Sequence, residues 1–279
     1  MINKTIAILG LGWLGLPLAE SLLKKGYRVR GSVSNEEKAA RLSEDGWDVS
    51  VLKLFSNAID ISNEDFFDAD VLIINFPPAR VDAIENIYPN QLRQLLPYIN
   101  HSAIAEVIFV SSTSVYPEIN GTVTEADELR PEKASGIACL EAEKVLNSQQ
   151  NFETTVIRFG GLIGPGRHPH RFMRPGTVNT EGDKPVNLIV LDDCIGIIQH
   201  VIEENIGGEI INACCPQHPT RKDFYTAAAK AAGVEAPVFD HASALKFKIV
   251  SSEKLSDQLG YQFKYPNPIN YLNETAISS

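Results

Sequence analysis

Residues 5–19 read TIAILGLGWLGLPLA: an apolar run of strand length meets three glycines spaced G-x-G-x-x-G and passes into a helical apolar pattern through Leu22 and Leu23. Each glycine has its own task in such a turn. Gly10 permits the tight passage from strand to helix, Gly12 lets a pyrophosphate come close to the backbone, and Gly15 lets the helix pack on the sheet. The helix start that follows presents unpaired N–H groups and the positive end of its dipole to phosphates. A bare glycine motif carries little weight, and a ligand-free turn is the alternative reading. Set between a buried strand and a helix, it points to a dinucleotide site, with Gly10, Gly12, Trp13, Leu14 and Gly15 as its phosphate-facing residues.

The next segment bears on which dinucleotide. Residues 26–33 read as a helix-terminating glycine followed by a second strand. An acidic residue at the end of that strand would hold the adenosine ribose and repel a 2′-phosphate. Here that position carries Ser32, Val33, Ser34 and Asn35, with Arg30 before and Lys38 after. The missing acid, the hydroxyls and the nearby positive charge favour NADP over NAD, with Glu36 and Glu37 as the opposing feature. Ser34-Asn35 also reads as the N-cap of the next helix.

Further strand-like runs follow at 47–55, 70–78, 105–110 and 154–167, separated by helical patterns at 87–100 and 135–148. This repeated β-α order predicts a doubly wound parallel α/β sheet of Rossmann type. Ligands of such sheets lie outside the carboxyl ends of the strands. Asn75, Phe76 and Pro77 are therefore expected against the adenosine half. Ser111, Ser112, Thr113, Ser114 and Tyr116 follow the fifth strand, where hydroxyls either reach a substrate oxygen or bond locally within a turn. Arg167, His168, His170, Arg171 and Arg174 form a basic, proline-broken stretch in a chain of net charge −10. That stretch is either a solvated loop or a lid that attracts an anionic substrate. Asp192 and Asp193 read as the cap and first turn of a helix running to Glu203. Strands are expected at 187–193 and 208–213, and a helix from Thr220 to Gly233.

The acidity argues against a nucleic-acid surface. No apolar run approaches the ~20 residues of a membrane span, and the chain start lacks a signal-peptide pattern, so a cytoplasmic protein is expected. Cys139, Cys194, Cys214 and Cys215 are too few and too scattered for a disulfide framework or a metal site. The adjacent pair Cys214-Cys215 is expected buried at a strand end.

Several pieces together resemble the extended short-chain dehydrogenase/reductases, the branch that holds NAD-dependent epimerases and dehydratases. They are the glycine turn, residues 111–116, residues 158–166 (RFGGLIGPG), residues 187–193 (NLIVLDD), residues 208–212 and residues 255–266, in the family's order. The resemblance implies an NAD(P)-binding domain over residues 1–165, its sheet completed by 186–215, and a smaller substrate region formed by 166–185 and 216–279. It adds Phe159 and Gly160 to the cofactor site, and Arg167, His168, Arg171 and Asn187 to the substrate side. It also implies pairing of two copies through the helices at 87–100 and 135–148. The family's chemistry uses a Tyr as acid/base, a Lys four residues later that lowers its pKa, and a Ser or Thr that orients the substrate oxygen. An unperturbed phenol near pKa ~10 is a poor base without that charge.

This sequence departs from the pattern. Residues 135–143 read SGIACLEAE where the family has Tyr-Gly-x-Ser-Lys-Leu-x-Ala-Glu, so Ser135 and Cys139 stand at the Tyr and Lys positions. Ser112 survives, and Thr113-Ser114 replace the Asp-Glu pair of the dehydratases. The expectation is an oxidoreductase or epimerase-like enzyme on a small carbonyl or sugar-nucleotide-like substrate. Ser112, Thr113 and Tyr116 are its remaining candidates for chemistry, with His168 or solvent as other proton sources. The competing expectation is a non-catalytic NAD(P)-binding sensor or regulator.

Overall fold

The computed structural model describes residues 4–172, 178–179, 181–239 and 246–277, with 171–172 and 275–277 described by backbone alone. The strands are β1 (Thr5–Leu9), β2 (Arg28–Val33), β3 (Val49–Leu54), β4 (Ile59–Ile61), β5 (Val71–Ile74), β6 (Glu106–Ser112), β7 (Gly121–Val123), β8 (Glu153–Phe159), β9 (Gly161–Ile163), β10 (Val178–Asn179), β11 (Leu188–Val190), β12 (Ile210–Ala213), β13 (Val238–Phe239) and β14 (Lys248–Val250). The helices are α1 (Gly15–Lys24), α2 (Glu36–Glu44), α3 (Ile84–Asn100), α4 (Ala134–Asn147), α5 (Leu191–Glu203), α6 (Arg221–Ala231) and α7 (Pro268–Ile277).

The main sheet has eight strands in the order β12-β8-β6-β5-β1-β2-β3-β4. Pairing is parallel from β3 through β2, β1 and β5 to β6, and β4 adds an antiparallel edge. Every residue of β1 and of β5 is buried, as in a parallel sheet covered on both faces, and this is why both read as continuous apolar runs. The strand order reverses between β1 and β5, where the glycine turn leaves β1.

By internal contacts the chain forms two compact units, one of Met1–Val115, Leu129–Arg158 and Ile198–Ile210, the other of Tyr116–Glu128, Phe159–Ile197 and Ile211–Ser279. The first unit's core joins Leu72, Ile74, Phe109 and Val156 of the sheet to Tyr88, Leu92 and Leu95 of α3 and to Ala138, Ala142 and Leu146 of α4. Asn35 caps α2 as expected, its side chain accepting from the Lys38 N–H at 2.7 Å. The short edge strand β4 has no counterpart in the sequence reading. Its three residues offer too little period-2 pattern to separate them from a loop.

The second unit contains the parallel pairs β7–β14, β9–β11 and β10–β13. Its core gathers Ile163, Val190, Cys215, Phe224, Tyr265 and Leu272. Cys214 and Cys215 are buried just beyond β12, as expected. Asp193 lies in the first turn of its helix as expected, and Asp192 differs from expectation. α5 starts at Leu191, so Asp192 too lies within its first turn rather than at its cap. Asp193 is fully buried and accepts from the Tyr261 hydroxyl (2.9 Å) and from the N–H groups of Lys264 (2.7 Å) and Tyr265 (3.0 Å). Burial raises its carboxyl pKa, opposed by those hydrogen bonds. Asp193 thus pins residues 261–265 to the helix start.

Candidate cofactor site

The glycine turn closes on itself. Gly10 has φ +109°, a conformation that side chains disfavour, and its carbonyl accepts from the Gly12 N–H at 2.8 Å. The Leu11 N–H donates to the Ser32 carbonyl at 2.8 Å, tying the turn to the end of β2. A Cβ on Gly15 would collide with the Gly10 carbonyl oxygen, so helix and strand end meet there at closest approach. A Cβ on Gly12 would meet no heavy atom within 4 Å. Gly12 therefore lies against open space. Leu14 precedes α1 without a side-chain cap, and Trp13 beside it is half-buried. Asn75 steadies the turn from β5, its amide donating to the Gly10 carbonyl at 3.3 Å.

Beside the turn, past the ends of β1, β2, β3 and β5, lies a pocket of about 200 Å³. Leu52, Leu54 and Phe76 form apolar walls, and Ser32, Ser34 and Gln91 supply polar groups. Ser32 is fully buried, and its Oγ has no hydrogen-bond partner among the described residues. An unpaired buried hydroxyl costs about 1–3 kcal/mol, which a ligand's hydrogen bond offsets. Val33 is buried and Ser34 exposed; Pro77 is exposed beyond Phe76. Lys38 reaches back from α2 and donates to the Leu11 carbonyl at 2.6 Å, leaving two ammonium protons beside the turn. Arg30 does not contribute as its place in the sequence suggested. It pairs with Asp48 (3.5 Å) and Asp68 (3.3 Å) and donates to the Asp65 carbonyl. Leu52, Leu54 and Gln91 were not legible as site residues, because only the sheet order brings β3 and α3 to this pocket.

The serine cluster after β6 is a short 3-10 turn, Thr113–Val115. Ser112 Oγ accepts from the Ser114 N–H at 3.1 Å, the local turn bond. Its own proton is not used in that bond. Thr113 is buried. Ser111 turns inward and donates to Glu143 at 2.5 Å, and Glu143 in turn receives Arg158 in a two-point pair at 3.1 and 2.6 Å. All three are buried, which locks β6, α4 and β8 together. At the family's proton-transfer positions, Ser135 is exposed and Cys139 is buried. Burial, reinforced by the Glu143 charge, pushes the Cys139 thiol up to about 12. It is neutral at physiological pH and supplies no positive charge.

The remaining predicted residues lie in the second unit. Tyr116 is buried, and its hydroxyl donates to Asn212 Oδ1 at 2.9 Å. Asn187 spends its side-chain amide on β14, donating to the Lys248 carbonyl (2.9 Å) and accepting from the Val250 N–H (2.8 Å). Phe159 is buried, and the Gly160 N–H donates to the Ala213 carbonyl at 3.0 Å. A Cβ on Gly160 would lie 2.6 Å from Cys214 Sγ. Arg167 is exposed, and the His168 ring stacks on His170 at 5.9 Å. The Arg171 side chain and all of Arg174 lie outside the described residues. Among the described residues, no cluster of His, Cys, Asp or Glu could hold a metal, and no helix is long and apolar enough to cross a membrane.

Known proteins share this fold. A short-chain dehydrogenase/reductase superfamily protein from Agrobacterium tumefaciens, solved with bound NAD, matches with a TM-score of 0.79 at 16% identity over 98% of this chain and 96% of that one. UDP-N-acetylglucosamine 4-epimerase from Bacillus cereus matches with a TM-score of 0.79 at 13% identity over 99% of each chain. The family described as NADP oxidoreductase coenzyme F420-dependent matches residues 5–96, from β1 through most of α3. Fold and turn define a Rossmann-type α/β protein built like the short-chain dehydrogenase/reductases and NAD-dependent epimerases. Protein YeeZ of Escherichia coli K12 is 36% identical over 271 residues, 95% of this chain and 98% of its own length. The chain belongs to the YeeZ family.

Proposed function

We propose that this protein binds NADP(H) in preference to NAD(H) and acts as an oxidoreductase or epimerase-like enzyme on a small carbonyl or sugar-nucleotide-like substrate. The observation that carries the cofactor reading is the unpaired, fully buried Ser32 hydroxyl in a pocket beside an open glycine turn. These residues fit a dinucleotide: Gly12 and the start of α1 receive the pyrophosphate, and Ser32 meets the ribose. Lys38 and Ser34 favour a 2′-phosphate, since no carboxylate ends β2 to repel one. When bound, the nicotinamide supplies or takes a hydride at the reacting carbon. Ser112 is suited to orient the substrate oxygen, because its hydroxyl accepts within the turn and keeps its proton for donation. Cys139 holds no charge that would activate a neighbouring acid, so the proton comes from solvent. Tyr116 is the less suited donor, its proton being committed to Asn212. The basic residues Arg167, His168 and Arg171 support an anionic substrate.

The neutral thiol at the lysine position favours a second reading, a cofactor-binding sensor without turnover. Fluorescence titration with NADPH and NADH tests the binding claim, with NADPH expected at least ~10-fold tighter. Cofactor oxidation is then followed with carbonyl compounds and nucleotide sugars, in wild type and Ser112→Ala. Turnover that falls on Ser112→Ala supports the enzyme. Binding without turnover supports the sensor, and a preference for NADH overturns the NADP assignment. Failure to bind either dinucleotide sinks both readings.

A further inference from the structure

We propose that Gln91 reads the base at the adenosine end of the site, selecting adenine over a purine that carries a carbonyl at C6. The inference rests on the dinucleotide reading above and adds a specificity residue to it. Gln91 projects from α3 and lines the pocket that holds Ser32. At about 200 Å³ the space is smaller than a typical small-molecule cleft, and it is bounded by the apolar side chains of Leu52, Leu54 and Phe76. Such walls suit one planar heterocycle. The unpartnered Ser32 Oγ is an independent mark that a polar ligand belongs there.

The orientation of the Gln91 amide follows from chemistry. One end of it bonds the Leu54 carbonyl at 2.8 Å. A carbonyl oxygen only accepts, so the end facing Leu54 is the NH2 group. What is left to a ligand is therefore Oε1, an acceptor to which no described residue donates, and the second Nε2 proton, a pair that matches the C6 amine and N7 of adenine together. Tyr88, one turn earlier on α3, is buried and donates to the Phe76 carbonyl at 2.7 Å, tying the same helix to the Phe76 wall of the pocket. An exocyclic amine at C6 of a purine is the complementary donor. A C6 carbonyl in the same place would set two acceptors against each other, and sites built to bond a donor reject analogues that lack it.

The test uses the full chain and two nucleotides that differ at the C6–N1 edge, an amine beside a bare N1 against a carbonyl beside N1–H: NADPH and its deaminated hypoxanthine analogue, or the NADH pair if NADH proves the tighter ligand. Affinities are read by fluorescence titration and calorimetry, so the result does not depend on turnover. Wild type is expected to bind the adenine dinucleotide at least ~10-fold tighter than the hypoxanthine form. Gln91→Ala should weaken the adenine form about 10-fold, leave the hypoxanthine form nearly unchanged, and bring the ratio close to one. Its melting temperature, measured alongside, should match wild type, and the wild-type ratio tests the proposal without any variant. Equal binding of both nucleotides by wild type overturns the proposal while leaving the cofactor reading intact. So does an equal loss of both in Gln91→Ala. If neither nucleotide binds wild type, the cofactor reading falls and this proposal falls with it.

Discussion

The glycine turn and the first turn of α4 are built alike and equipped differently. At each, a helix start is pressed onto a loop that follows a strand, with a glycine at the point of contact. Gly15 abuts the Gly10 carbonyl; Gly136 abuts the Ser114 carbonyl so closely that a Cβ would collide with it, and would lie 2.9 Å from Pro131. The packing that holds a phosphate cradle in one place and a proton-transfer helix in the other is present in both. Around the glycine turn the groups proposed to meet the dinucleotide are present as well: an open Gly12, an unpaired Ser32 and a tethered Lys38. On α4 the corresponding positions hold an exposed serine and a buried neutral thiol. Scaffold geometry and site chemistry are thus separable within one domain. The close contacts have kept their shape where the charged and phenolic groups are gone.

The comparison breaks most readily at the anchor beneath α4. Glu143 is the acceptor for both Ser111 and Arg158, and removing it would take the carboxylate away from a guanidinium that is 1% exposed. Glu143→Ala should destabilise by about 3–5 kcal/mol, read as a shift in denaturant midpoint. Replacing both partners by apolar residues, Glu143→Leu with Arg158→Met, should cost less than the single change, because no buried guanidinium then lacks that carboxylate. A loss below about 1 kcal/mol for Glu143→Ala would mean that α4 is held by its apolar contacts, and the ion pair is not its anchor.

The glycine turn offers a sharper separation. Gly15→Ala must push the Gly10 carbonyl aside, and about 1–3 kcal/mol of stability should be lost together with dinucleotide binding. Gly12→Ala meets open space, so stability should stay within about 0.5 kcal/mol of wild type. Binding should nonetheless weaken at least ~10-fold, since the methyl group occupies the approach of the pyrophosphate. Measured side by side, the pair distinguishes a glycine needed by the protein from one needed by its ligand. Equal stability losses in both variants would erase that distinction.

The sequence carried the turn, the order of β-α units and the loss at positions 135 and 139, because each is written in consecutive residues. The Asn35 cap was legible for the same reason: capping is local. What lay hidden depends on residues far apart in the chain. Arg30 stands beside the cofactor end of β2 in sequence, yet Asp48 and Asp68 draw its side chain away. Asp193 matches a helix-start pattern, yet its carboxylate serves residues 261–265. Gln91 sits in an ordinary helical pattern, and only the placement of α3 beside the end of β3 gives it a pocket to face.

The effect expected to be smallest near neutral pH concerns Cys139, and it tests the claim that α4 carries no usable charge. Its thiol is raised from an ordinary value of 9.0 to about 12, chiefly by burial and then by Glu143. A group whose folded pKa lies above its unfolded one stabilises fully below the unfolded value, and that contribution is lost as pH rises through the folded value. Between pH 9 and about 12, wild type should therefore lose stability relative to Cys139→Ala by up to ~1.4 kcal/mol per pH unit. Below pH 8 the difference between the two should be flat, reflecting packing alone. Alkylation of the native protein by iodoacetamide, followed by mass spectrometry, should leave Cys139 unmodified near pH 7–8, since both burial and protonation protect it. Rapid modification there would place a thiolate at the lysine position, and α4 would then carry a charge of the opposite sign instead of none.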